Sequence, residues 1–163
     1  MRSGRGLGIP VQSIPLGVEP DMVVVPALST TTPDSLVPAL AGRDVLDAAE
    51  QLRAWHASGS AIAASCVGTF VLANAGLLDD GEATTTWWLG PLFRQRYPRI
   101  LLDESLMIVS SGRTVTAGAS MGHLDLALWL IRERSPELVA LVARYMLAQM
   151  LGHCRLPTSF RNT

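Results

Sequence analysis

Apolar residues in the first half of the chain form two kinds of pattern. Short continuous runs at 22–28 (MVVVPAL) and 61–65 (AIAAS) are typical of strands buried on both faces of a parallel sheet. Between them, over 44–57, apolar residues recur at the i, i+3, i+4, i+7 spacing of a helix face, and Ser58-Gly59 ends that pattern. A strand, a helix and a strand in this order predict a right-handed βαβ unit with parallel strands.

The rest of the chain mixes further short apolar runs with helical patterns. Cys66 follows the run at 61–65 directly, and a helical pattern begins at Val67 with no turn-sized gap. The other predicted elements are a short strand at 83–86, a helix at 87–97, strands at 99–103, 106–109 and 114–117, and helices at 120–133, capped by Ser120, and at 136–150. The last two strands are predicted to pair through 110–113, whereas 29–34 (STTTPD) and 77–82 have loop compositions. These alternations predict an α/β protein.

Composition and charge narrow the class of protein. The chain has 163 residues, 48% of them apolar, which is enough for one domain with a sizeable core. Its 13 basic and 14 acidic residues leave a net charge of −1 with no dense basic cluster, so this stretch is not predicted to bind nucleic acid. It has no signal-peptide core and no apolar run long enough to span a membrane. Two cysteines, Cys66 and Cys154, make no disulfide framework, and a reduced, cytoplasmic location is expected.

Cys66 stands where a strand gives way abruptly to a helix. A side chain on such a turn is exposed above the sheet, and the unpaired N–H groups of the following helix can stabilise a thiolate or a developing oxyanion. Gly68 would keep the turn slim enough for a ligand to approach. The alternative is a buried structural cysteine, because free cysteines are among the most buried residues. The local pattern leaves both interpretations open.

The stretch 61–88 (AIAASCVGTFVLANAGLLDDGEATTTWW) resembles the core signature of the ThiJ/PfpI superfamily, whose members have a class I glutamine amidotransferase-like domain. Within that superfamily it is most similar to the domain that precedes the DNA-binding domain in AraC-type transcriptional regulators. The resemblance continues through 91–98, 116–132 and 140–145, and covers roughly 20–150. It implies a flavodoxin-like three-layer sandwich with a mostly parallel sheet, in which Cys66 occupies a nucleophile elbow.

Three departures from the family pattern bear on function. Family members usually have a histidine in the A-T-T-H-W motif, where this chain has Thr86, and a hydroxyl cannot serve as the base partner of a cysteine. The family's first strand and helix are not recognisable in the irregular segment 1–20, so one side of the sheet is expected to be open. The amidotransferase-like domain is assigned to 21–151, and the tail 152–163 ends where a helix-turn-helix domain would begin. A truncated gene model, a decayed gene and a compensating partner subunit all remain open.

The resemblance also indicates which residues would form the site. Ligand contacts are assigned to Cys66, Val67, Gly68, Thr86, Trp87 and His123. His123 is also the substitute base for Cys66, although a capping or solvent-facing histidine is the more ordinary interpretation. Paired Trp87 and Trp88 fit either a pocket roof or the core. His56, His153 and Cys154 do not form a ligand set, so neither a metal nor a cofactor is predicted.

Two functions follow from these expectations. The first is a ligand-sensing and dimerisation domain that binds a small metabolite, forms a homodimer and reaches DNA only through a domain that this chain lacks. The second is a cysteine-dependent hydrolase or hydratase, in which Cys66 attacks a small molecule with help from His123 or a water chain. The missing histidine favours the first.

Overall fold

The structure is a computed structural model that describes residues 8, 10–12, 17–30, 32–118 and 121–153, with side chains as far as Met146. The predicted cap Ser120 and the tail residue Cys154 lie outside the described residues. The chain divides into two compact units, 1–123 and 124–163.

The first unit alternates strands and helices, as the sequence predicts. Its elements, in chain order, are β1 (Met22–Val25), α1 (Pro33–Leu40), α2 (Arg43–Ser58), β2 (Ala61–Ser65), α3 (Gly68–Asn74), β3 (Glu82–Ala83), a 3₁₀ turn (Trp87–Leu89), α4 (Gly90–Arg96), β4 (Leu101–Leu102), β5 (Ile108–Ser111) and β6 (Thr114–Ala117). The α/β class predicted from the sequence is therefore confirmed.

The main sheet has the order β1-β2-β6-β5, and β3 and β4 form a separate pair. β1 runs parallel to β2, with Met22 opposite Ala61, and β2 runs parallel to β6. The predicted βαβ unit is confirmed by this pairing. β5 and β6 pair antiparallel through a turn in which Gly112 has a φ of 59°. In the described part of the chain, β1 is the terminal strand on its side of the sheet.

The core of this unit lies where the early helices pack on the sheet. The face predicted for 44–57 is buried in α2 at Val45, Ala49 and Leu52. Gly59 ends α2 in the left-handed conformation, with a φ of 112°. Ile62 and Ala64 of β2 are also buried, as a continuous apolar run predicts.

The structure differs from the predicted elements in several places. Helix α1 begins inside the predicted loop 29–34 and continues through residues for which no element was predicted. It forms because Pro33 takes the first helical position and because Thr32 and Ser35 bond reciprocally as a capping box. The predicted helix 87–97 is a 3₁₀ turn followed by α4, with Pro91 in the first turn of the second segment. The strands predicted at 83–86 and 99–103 shorten to two residues each.

The second unit is helical. It contains most of α5 (Gly122–Arg134), together with α6 (Pro136–His153). The break between these helices is made by Ser135, whose Oγ accepts a hydrogen bond of 3.2 Å from the N–H of Leu138. This is an N-cap contact, and Pro136 occupies the first helical position after it. α6 therefore begins where the sequence predicts.

Candidate functional site

Cys66 is the first residue of a two-residue turn between β2 and α3. Its φ is 55°, in the left-handed region that residues other than glycine seldom enter. Its N–H donates to the carbonyl of Ala117 at 2.8 Å, and its own carbonyl accepts from the N–H of Thr69 at 3.2 Å and from Oγ1 of Thr85 at 2.9 Å. A strained backbone persists where its surroundings hold it, and these three bonds supply that support.

A cavity of about 410 Å³ opens beside this turn. It is lined by Pro26, Ala27, Leu28, Thr30, Ser65, Cys66, Val67, Trp88 and His123. The first four residues follow β1, and the next three surround the end of β2. Because β1 and β2 are parallel, their carboxyl ends meet at one edge of the sheet, where ligands bind in open α/β folds.

Burial disfavours the ionised form of the Cys66 thiol. Cys66 is a free, half-buried cysteine. Burial raises the pKa of the Cys66 thiol, and this effect outweighs the opposing one of the hydrogen bond from the N–H of Val67. The surroundings of Cys66 thus favour the neutral thiol over the thiolate, which is the form that attacks as a nucleophile.

Gly68 serves packing. A Cβ at this position would lie 2.8 Å from the carbonyl oxygens of both Val25 and Pro26. The start of α3 therefore touches the backbone at the end of β1, and only a residue without a side chain fits between them. Among the described residues, Gly68 is not part of the cavity lining.

The chain is similar to known transcriptional regulators in sequence and to known α/β proteins in structure. No family model matches the chain. It is 28% identical over 111 residues to the HTH-type transcriptional regulator GbdR of Pseudomonas aeruginosa strain UCBPP-PA14, a match that covers 65% of this chain and 30% of the regulator. It is 31% identical over 105 residues to the HTH-type transcriptional regulator CdhR of P. aeruginosa PAO1, covering 64% of this chain and 30% of CdhR. The chain thus spans less than a third of the length of these relatives.

Solved structures agree on the architecture. A ThiJ/PfpI family protein from Pseudomonas syringae superposes with a TM-score of 0.63 at 23% identity, over 88% of this chain and 58% of that one. The chain has the ThiJ/PfpI fold. An AraC family transcriptional regulator from Pseudomonas putida superposes with a TM-score of 0.62 at 22% identity, over 90% of this chain and 74% of the regulator. The flavodoxin-like class implied by the sequence resemblance is therefore confirmed.

Thr86 is the residue that the sequence resemblance aligns with the usual ThiJ/PfpI histidine. It is fully buried, does not line the cavity described above, and its Oγ1 has no hydrogen-bond partner among the described residues. Its neighbours are well bonded: Oγ1 of Thr84 donates to the carbonyl of Leu106 at 2.8 Å, and the N–H of Thr84 donates to Oγ1 of Thr116 at 2.9 Å. The threonine segment is thus fixed against the sheet and offers no base to Cys66.

The two tryptophans have different surroundings. Trp88 lines the cavity at Cys66, whereas Trp87 is 68% exposed and lines a smaller cavity of about 90 Å³ with Glu104 and Met107. The two rings meet edge to face, with centroids 5.7 Å apart. Arg94 forms an ion pair with Glu104, and that contact holds the pKa of the carboxyl below its usual range.

Three of the six residues predicted for the site line one cavity in the structure: Cys66, Val67 and His123. His123 does so from the first turn of α5. Gly68, Thr86 and Trp87 lie elsewhere, as described above. The sequence analysis did not predict that the segment after β1 would line the cavity. The βαβ pattern contains the signal, because two parallel strands joined by a helix have their carboxyl ends side by side.

Within the described ranges, no group of three or more His, Cys, Asp or Glu side chains is arranged to hold a metal ion. Over the same ranges, no helix combines the length and the apolar character needed to cross a bilayer.

Proposed function

We propose that this chain is the ligand-sensing domain of an AraC-type transcriptional regulator, and that the cavity at Cys66 binds a small molecule. One observation carries the proposal: a cavity of about 410 Å³ lies at the carboxyl edge of parallel strands and contains a thiol whose pKa is raised by burial. Such a site is built to bind, because the chemical activation that a cysteine enzyme needs is lacking.

The sequence relatives support the same proposal. Both reported relatives are HTH-type transcriptional regulators, and the matched region is about 30% of each. In this proposal DNA recognition belongs to a separate domain, which is consistent with the net charge of −1 of this chain. A cytoplasmic location follows from that role.

A homodimer is also part of the proposal. Leu138, Leu141 and Tyr145 lie on the predicted apolar face of α6, and each is about half exposed or more. Apolar side chains at helical spacing that remain exposed are suited to an interface between subunits. Ligand occupancy would be communicated to DNA through a dimer of this kind.

Blocking the cavity tests the binding function. A thermal-shift screen of small amides, alcohols, amines and betaine-like compounds is expected to find at least one that raises the melting temperature of the wild-type chain. At a hundredfold excess over Kd the stabilisation would be about 2.7 kcal/mol, or roughly 5–10 °C. Ala27→Trp, at an exposed lining position, should abolish the shift.

Ala48→Trp is the matched control for that experiment. Ala48 is exposed on α2 and does not line the cavity, so this variant should keep the ligand response of the wild type. A shift that survives in Ala27→Trp would place binding elsewhere. The absence of any stabilising compound across the screen would contradict the sensing function.

A second function, a cysteine-dependent hydrolase or hydratase, has one observation in its favour. Cys66 has the positive φ of a nucleophile elbow, and His123 lines the same cavity. Cys66 would then be the nucleophile and His123 its base. The raised pKa of the thiol argues against this function, and the reactivity of Cys66 decides between the two.

The rate at which iodoacetamide alkylates Cys66 is expected to rise with pH along a curve displaced above that of a free thiol, whose pKa is about 8.5. The reason is that burial disfavours the thiolate, so the folded chain must reach a higher pH to lose the proton. Mass spectrometry of the Cys66 peptide gives the rate, and the urea-unfolded chain is the control. Rapid alkylation with a midpoint below about pH 7 would instead establish an activated nucleophile.

A further inference from the structure

The cavity at Cys66 is notable for the side chains that line it. Five of its nine lining residues are apolar: Pro26, Ala27, Leu28, Val67 and Trp88. The other four, Thr30, Ser65, Cys66 and His123, are polar, and no Asp, Glu, Lys or Arg of the described part of the chain contributes to the lining. The cavity therefore has neither a carboxylate for a cation nor a guanidinium or ammonium group for an anion.

Several charged side chains of this unit pair with one another outside the cavity. Arg94 pairs with Glu104, Arg99 with Asp79, and Arg43 with Asp47. None of these six residues lines the cavity at Cys66. The raised pKa of the buried thiol keeps Cys66 uncharged at neutral pH as well.

A cationic ligand would lose hydration in this cavity without receiving a counter-charge, and an anionic ligand would meet no permanently charged side chain in the described lining. Moving an ionised group from water into apolar surroundings costs several kcal/mol unless an opposite charge or several hydrogen bonds replace the water. Aromatic cages can replace a carboxylate for quaternary ammonium groups, but among Trp, Tyr and Phe only Trp88 belongs to the described lining. A cation is therefore not matched, and an anion meets no fixed positive charge.

Neutral polar groups, by contrast, are available. Thr30 lines the cavity, and its buried Oγ1 has no hydrogen-bond partner in the part of the chain that the structure describes. Buried polar atoms almost always have a partner. The Thr30 hydroxyl has almost no accessible surface, so a ligand in the cavity bonds to it only when the side chain rotates the hydroxyl toward the cavity. The hydroxyl of Ser65 and the thiol of Cys66 line the same space.

We infer that this cavity selects an uncharged ligand, with an apolar body and a neutral hydrogen-bonding group such as an amide or a hydroxyl that pairs with Thr30. The inference rests on the proposed sensing function and adds the chemical class of the molecule sensed. A volume of about 410 Å³ lies toward the small end of ligand pockets, which indicates a compact molecule.

Isosteric pairs of thiol reagents test the charge preference on the intact chain without knowledge of the ligand. In the first pair, iodoacetamide carries a neutral amide where iodoacetate carries a carboxylate. In the second pair, propyl methanethiosulfonate carries a methyl group where 2-aminoethyl methanethiosulfonate carries an ammonium group. Each rate at Cys66, measured by mass spectrometry of its peptide, is divided by the rate with N-acetylcysteine. After this correction, each neutral reagent is expected to react at least tenfold faster than its charged partner. Equal rates, or a preference for either ion, would overturn the inference.

A designed charge provides the control. Leu28→Arg places a cation in the lining and should shift the ratio toward iodoacetate, whereas Leu101→Arg, at an exposed position outside the lining, should leave the ratio unchanged. If the ratio of the iodoacetamide rate to the iodoacetate rate is the same in Leu28→Arg as in the wild type, the labelling rate does not depend on the charge of the cavity. This result would also count against the inference.

Binding of matched compounds separates this inference from the function on which it rests. Calorimetry compares trios of amide, carboxylate and ammonium compounds built on the same phenylpropyl, isobutyl and cyclohexyl groups. Amides that bind at least tenfold more tightly than both ions, with affinity lowered about three- to tenfold in Thr30→Val, are expected. If no compound binds while labelling still favours neutral reagents, the sensing function fails and the charge preference stands. If an ion binds most tightly, the sensing function stands and the inference fails.

Discussion

Phe70→Ala is expected to lower the free energy of unfolding by about 4 kcal/mol, the typical cost of removing a buried phenyl ring. Phe70 is fully buried in α3, and its ring meets that of Phe93 edge to face with centroids 4.9 Å apart and that of Tyr97 at 6.2 Å. Its loss would leave a cavity that α3 and α4 cannot close. Urea unfolding followed by circular dichroism measures the change.

Two variants keep this prediction testable even if Phe70→Ala does not fold. Phe70→Leu retains most of the volume and should cost less, about 1–2 kcal/mol. Trp87→Ala removes a larger ring that is 68% exposed, and should change stability by less than about 1 kcal/mol. A Trp87→Ala loss equal to that of Phe70→Ala would contradict the burial that the structure assigns to the two rings.

Gly68→Ala is expected to destabilise the chain by about 2–3 kcal/mol and to change the alkylation rate of Cys66. The new Cβ would lie 2.8 Å from the carbonyl oxygens of Val25 and Pro26, and backbone atoms cannot rotate away as a side chain can. Either α3 or the end of β1 must shift, and both adjoin the cavity. Urea unfolding and labelling of Cys66 measure the two effects.

Gly122→Ala is the matched control, because Gly122 begins α5 as Gly68 begins α3. A Cβ at Gly122 would meet its nearest atoms, in Ala117, at 3.4 Å, which is an ordinary contact. Alanine is also the better helix former, so this variant should match or slightly exceed the stability of the wild type. If both variants lose stability equally, the cost at Gly68 does not come from close packing.

The strand-to-helix turn at Cys66 could be predicted from sequence because its signals are local. A continuous apolar run ends at Ser65, and a helical pattern begins within two residues, which leaves no room for a longer connection. The parallel pairing of β1 and β2 followed from the helix between them. Helix α1 was missed because the threonines and prolines before it have the composition of a loop, although Thr32 and Ser35 cap a helix here.

The composition of the cavity was harder to predict because its two halves are about 40 residues apart in sequence. Thr30 and Cys66 come together only when β1 and β2 lie side by side, and a family motif centred on Cys66 carries no information about the first segment. The same motif also predicted that Thr86 would belong to the site. In the structure the Thr86 side chain is buried and does not line the cavity. Motif position therefore predicted the turn better than it predicted the pocket.

The edge contact between Trp87 and Trp88 has an optical consequence. Trp88 lines the cavity and Trp87 is in contact with solvent, so a molecule that enters alters the environment of the first ring, and rearrangement of that ring displaces the second. Occupation of the cavity would thereby change the fluorescence of a residue on the outer surface.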